Sequence, residues 1–130
     1  MDDVTSAVSY WVEIADYDLV TAKAMLSTGR YLYVGFMCHQ AIEKLLKAYY
    51  VHVFGDTPPY IHSLSRLANM TGIDILLTEE QIDCIDTLEP LNIEARYPTD
   101  RERLGQSLTH TLCEVLISET EELSQWIKSQ

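Results

Sequence analysis

The residues with the greatest chemical capacity lie close together: His39, Gln40, Glu43, Lys44 and Lys47 fall within nine positions of the otherwise apolar run CHQAIEKLLKAYY, and His62 follows a double proline. Imidazole, amide, carboxylate and ammonium groups side by side can bind a polar or anionic ligand, or hold a partner protein through paired charges. On a helical wheel the five occupy an arc of about 140° that also contains Leu32, Phe36, Tyr50 and Phe54. Aromatic residues interleaved with charges are the composition of a recognition surface more than of a solvated face. The plainer alternative is an i,i+4 ion pair between Glu43 and Lys47, worth roughly a few tenths of a kcal/mol, with Lys44 in water.

Three further features have chemical potential. Asp18 falls by wheel position between Trp11, Ala22 and Met25, where an unpaired carboxylate is costly, so a partner is expected from Lys44, Lys47, Arg96 or a tyrosine hydroxyl. Arg96 and Tyr97, with Arg101 and Arg103, form the one concentrated basic spot. It precedes a helix start, where free backbone N–H groups favour anions; pairing of Arg101 and Arg103 with Asp100 and Glu102 is the structural alternative. Arg103 and His110 are separated by six residues. An arginine can hold a phosphate and a histidine can move a proton, which are the roles that metal-independent RNA cleavage requires.

Other chemistries lack their residues. The sequence has no G-x-S-x-G elbow and no glycine-rich phosphate loop among its five glycines, and no cysteine has an evident base beside it. Cys38 and His39 are adjacent but point about 100° apart on a helix. A di-iron bundle wants Glu-x-x-His twice, and this chain has none, so neither metal nor cofactor is expected. Twenty acidic against nine basic residues give a net charge of −11, which repels phosphate backbones at long range and confines any nucleic-acid contact to a local site.

The elements that must position these groups are helical. Apolar residues at Val8, Trp11, Val12, Ala15, Leu19, Ala22 and Leu26 repeat at three and four, predicting a helix from about Val4 to Ser27 ended by Gly29. A second, central helix runs from Tyr31 to Phe54, with Val34, Met37, Cys38, Ala41, Leu45 and Ala48 facing the core, and stops at Gly55 and Pro58-Pro59. A short helix from about His62 to Met70 is followed by one that Thr78 caps and that ends near Leu88. Pro90 and Pro98 bracket an irregular connection. A last helix then carries Leu108, Leu112, Leu116, Thr120, Leu123 and Ile127 on one face.

At 130 residues, 47% hydrophobic and 22% charged, the chain fits a single domain over residues 1–130, all-α, an antiparallel up-and-down bundle of four to five helices. Three cysteines without C-x-x-C spacing read as buried thiols in a reducing cytoplasm. The acidic start MDDVTSAV and the lack of an apolar run near 18 residues predict a cytoplasmic protein without a membrane partner.

Taken together, ADYDLVTAKAML, YLYVGFMCHQAIEKLLKAYYV, PPYIHSLSRL and IEARYP resemble the HEPN family of small prokaryotic helical domains, over about nine tenths of the chain. The resemblance implies a helical bundle that often forms homodimers and is often paired, in a toxin–antitoxin-like arrangement, with a minimal nucleotidyltransferase. It also implies that the second helix and the R-Y-P connection line a cleft for a nucleotide, an RNA or the partner, with His39, Gln40, Glu43, Lys44, Lys47, His62, Arg96 and Tyr97 at the matching positions. Ribonuclease members carry an arginine, four to six residues and a histidine near the last helix. Arg103 and His110 meet that spacing at its upper limit, with Leu104 where those members have a polar residue. The leading expectation is therefore a non-enzymatic binding module. A metal-independent endoribonuclease toxin using Arg103 and His110 is one alternative, and a homo-oligomerisation domain burying Phe36, Tyr50 and Phe54 against a second copy is another.

Overall fold

Tyr31–Phe54 is the axis around which the chain folds, apolar on so much of its circumference that it can be satisfied only by neighbours on several sides. A computed structural model describes residues 3–93 and 96–130. In chain order the helices are α1 (Asp3–Ser27), α2 (Tyr31–Phe54), α3 (Leu64–Thr71), α4 (Glu79–Leu88), α5 (Pro98–Ser107) and α6 (His110–Lys128), with 3₁₀ turns at Ile73–Leu76 and Glu89–Leu91. The described residues contain no strand.

Helix α1 covers α2 most extensively, and α6 and α3 pack against other sides of it. Gly29 makes the first pairing possible: at φ +74 it lets Arg30 N–H donate to Met25 O at 2.8 Å. So short a connection returns the chain antiparallel to α1. Buried Ala15, Leu19 and Ala22 of α1 meet Val34, Cys38, Ile42 and Leu45 of α2 in one core, joined by Leu64, Leu67, Leu88 and Leu123.

The short helices are held by caps. Thr78 and Gln81 form a reciprocal capping box at the start of α4. Ser63 caps α3, and Glu89, from well along the chain, accepts Leu64 N–H at 2.8 Å and Ser65 N–H at 2.9 Å. A carboxylate there also complements the positive end of the helix dipole.

The helix count exceeds the expected four to five because the segment after Pro98 is two helices. Leu108 is extended, and the Thr109 hydroxyl accepts Leu112 N–H at 3.1 Å to begin α6 afresh. The buried face of α6 is centred near Cys113, Thr120 and Ile127, which puts Leu112 at its edge. Leu116, Thr120, Leu123 and Ile127 are buried as expected, but Leu112 is 43% exposed and Cys113 takes the inward position. Two residues of the expected IEARYP connection, Glu94 and Ala95, lie outside the described residues. All three cysteines are free and buried. Burial pushes the Cys38 thiol up to about 12 and the Cys84 thiol to about 11. Among the described residues no helix is long and apolar enough to cross a membrane.

Candidate functional site

Past Phe54 the chain cannot continue as a helix: Gly55 is left-handed at φ +65, its N–H donates to Val51 O, and Pro58-Pro59 follow. The segment 57–62 therefore turns back over the C-terminal half of α2. Between it, α1 and α2 lies a cleft of about 530 Å³. Helix α2 supplies Gln40, Glu43, Lys44 and Lys47; α1 supplies Trp11; the crossing segment supplies Pro58, Pro59, Tyr60 and His62; and Asn92 closes one side.

Glu43 is the hub. It is 2% exposed, accepts from Lys47 Nζ at 3.1 Å, and accepts from His62 Nδ1 at 3.1 and 3.2 Å. A carboxylate only accepts, so His62 Nδ1 carries the proton in this contact. The Lys47 ammonium also lies 5.7 Å from the Trp11 ring centroid and 5.9 Å from that of Tyr60, within cation–π range of both. The Glu43–Lys47 pair of the plainer alternative is thus present, with Lys47 buried and within reach of both rings, and Lys44, which that alternative put in water, is largely buried as well.

A second pair lies alongside. Lys44 Nζ donates to Gln40 Oε1 at 2.9 Å and stands 3.6 Å from Asp18 Oδ2, so of the partners open to Asp18 in the sequence it is Lys44 that lies beside it. Asp18 Oδ2 is buried without a hydrogen bond among the described residues. Burial raises the Asp18 carboxyl above its usual range, and Lys44 opposes that rise.

His39 is on the same side of α2 but beneath the cleft, fully buried, with neither ring nitrogen hydrogen-bonded among the described residues. Its Nδ1 is 4.0 Å from Glu43 Oε1, too far for a hydrogen bond. Burial lowers its pKa, against the pull of Glu43 and Glu89 and of the His62 backbone, and the ring is neutral.

Other expected members lie elsewhere. Arg96 and Tyr97 are exposed and are not among the cleft's lining; Arg96 Nε donates to Pro90 O at 3.2 Å, and Tyr97 is 80% exposed. Of the described residues of that connection, Asn92 is the one that reaches the cleft. Exposed Arg103 sits on α5. His110 turns to other partners, with Nδ1 3.4 Å from the Tyr31 hydroxyl and Nε2 3.4 Å from Glu114. Phe36 is buried within its own chain, and the Tyr50 and Phe54 rings pack on each other at 4.7 Å. Phe36 is thus not free to pack on a second copy. Among the described residues no group of three or more His, Cys, Asp or Glu side chains is placed to hold a metal ion.

Trp11, Tyr60 and Asn92 were not foreseen. Trp11 fits the apolar face of α1 and reads as core. Tyr60 gave one signal, an aromatic side chain held out by the preceding prolines, and it is 97% exposed.

No curated protein matches the chain. Among solved structures, TT1696 from Thermus thermophilus superposes with a TM-score of 0.78 at 20% identity, covering 94% of this chain and 96% of that one. An archaeal HEPN homologue, ST0689, gives 0.68 at 22% identity, covering 95% and 96%. At those identities the likeness is one of fold. The model of the HEPN domain family matches residues 8–130. With a family match over nearly the whole sequence and the same helical fold, the chain belongs to the HEPN domain family.

Proposed function

We propose that this protein is a binding module that seats a nucleotide-bearing ligand in the cleft between α1, α2 and the crossing segment 57–62. The observation that carries the reading is convergence: Gln40, Glu43, Lys44 and Lys47 of one helix and His62 from beyond the double proline share one cavity flanked by two aromatic rings. Polar groups that fix orientation, next to rings on which a base can stack, are what a nucleotide site needs. The family resemblance supports a homodimer and a minimal nucleotidyltransferase as partner in a toxin–antitoxin-like pair.

Trp11 reports on the site directly, because the other tryptophan, Trp126, is on α6 and outside the cleft. In a Trp126→Phe background, adenine and guanine nucleotides should change Trp11 fluorescence saturably. Tyr60→Ala, at a side chain that is almost wholly exposed, should weaken that binding about tenfold by removing a stacking surface without altering the unfolding midpoint. Arg96→Ala should leave it unchanged. Absence of any saturable response removes the reading.

A further inference from the structure

The cleft contains two lysines, yet neither is available as a free cation. Lys47 is spent on Glu43 and the two rings, and its side chain is 8% exposed; Lys44 is spent on Asp18 and Gln40 and is 20% exposed. Two ammonium groups face two carboxylates, so each lysine charge is matched by a carboxylate, within a chain of net charge −11. Such a site has little to attract phosphate, and the surrounding field opposes each added negative charge.

The same bonds fix the polar groups that remain. Lys44 can only donate, so Gln40 turns its carbonyl oxygen to it and keeps its amide N–H₂ as a donor without a partner among the described residues. His62 commits Nδ1–H to Glu43, which leaves Nε2 of this half-exposed ring as an acceptor without a partner among the described residues. Beside this donor and acceptor lie the rings of Trp11 and Tyr60.

We infer that the cleft recognises the uncharged edge of a nucleobase, through the Gln40 amide and His62 Nε2 with the ring stacked on Tyr60, and that phosphate contributes nothing to its affinity. This rests on the cleft being the nucleotide site, and deepens that reading by naming which part of the ligand is read.

The test is calorimetric titration of the full chain with the four common nucleosides and with their mono- and triphosphates, at about 50 and about 300 mM salt, which spans strong to weak screening. The expected result is that at least one nucleoside binds, that its phosphates bind no tighter, and that salt leaves the nucleoside affinity unchanged. His62→Asn retains a donor at the Nδ1 position for Glu43 while deleting the acceptor, and Gln40→Glu retains the oxygen for Lys44 while deleting the donor. Each should lower nucleoside affinity up to about tenfold with the melting temperature held. Affinity that climbs with phosphate number and collapses with salt overturns this inference and leaves the nucleotide site standing, as does nucleoside binding that neither variant alters. If no nucleoside or nucleotide binds, both readings fall.

Discussion

At His39 the structure tolerates something costly: an imidazole with no exposure and two ring nitrogens without hydrogen bonds among the described residues. It survives because the ring is neutral, and its acid–base behaviour follows. Its folded pKa lies below the ordinary 6.5 because burial penalises the charged form, with the carboxylates of Glu43 and Glu89 opposing and His62 adding a like charge when protonated. A lowered pKa means that the stability it contributes is full above about pH 6.5 and is lost as pH falls toward the folded value. His39→Leu, similar in size and without unpaired nitrogens, should be no less stable than the parent at neutral pH. It should also lack that part of the acid loss, a difference in slope approaching ~1.4 kcal/mol per pH unit. Urea unfolding from pH 7 to 5 checks this, and parallel slopes for the two proteins would refute it. The raised Asp18 carboxyl has the opposite sign, its stabilising contribution complete below the ordinary carboxylate value and lost as pH rises above it. Sequence periodicity placed Asp18, His39 and Glu43 where polar groups need explaining, but it could not separate depth from direction. His39 and Glu43 are only about 40° apart on the wheel, yet one lies under the cleft and the other on its floor.

At the scale of elements, the cleft depends on how the segment after α2 is anchored. Local signals made most of the helices legible: Gly29 and Gly55 stop the first two and Thr78 caps the start of α4, whereas Ser63 caps α3 so that it starts at Leu64, two residues past the expected His62. What the sequence hid was a partner distant along the chain, since the cap of α3 is completed by Glu89. Its carboxylate fixes the helix that begins just after His62. Glu89→Ala should therefore cost roughly 1–2 kcal/mol of unfolding free energy. It should also raise amide exchange at Leu64 and Ser65 before any change in α1 or α6. A uniform loss of protection across all helices would mean that Glu89 acts on the core instead. The break between α5 and α6 was likewise invisible to periodicity, because Leu108 continues the apolar spacing although its backbone is extended.

For the whole molecule, an acidic helical protein keeps a charge-balanced cleft with aromatic rings beside it on its central helix, and Arg96 and Tyr97 lie outside it. The fold could be read from the sequence because apolar spacing and stop signals agree along most of the chain. The site was read only in part: the residues of α2 and His62 were evident, whereas Trp11, Tyr60 and Asn92 come together only through the fold. The rival reading places function at Arg103 and His110, at the junction of α5 and α6. One measurement separates them: amide, indole and side-chain NMR shifts of the labelled protein titrated with nucleosides and nucleotides. The account predicts perturbations concentrated at the Trp11 indole, the Gln40 side-chain amide, Tyr60, His62 and Asn92. Shifts confined to Arg103, His110 and Tyr31, with the cleft unmoved, would contradict it.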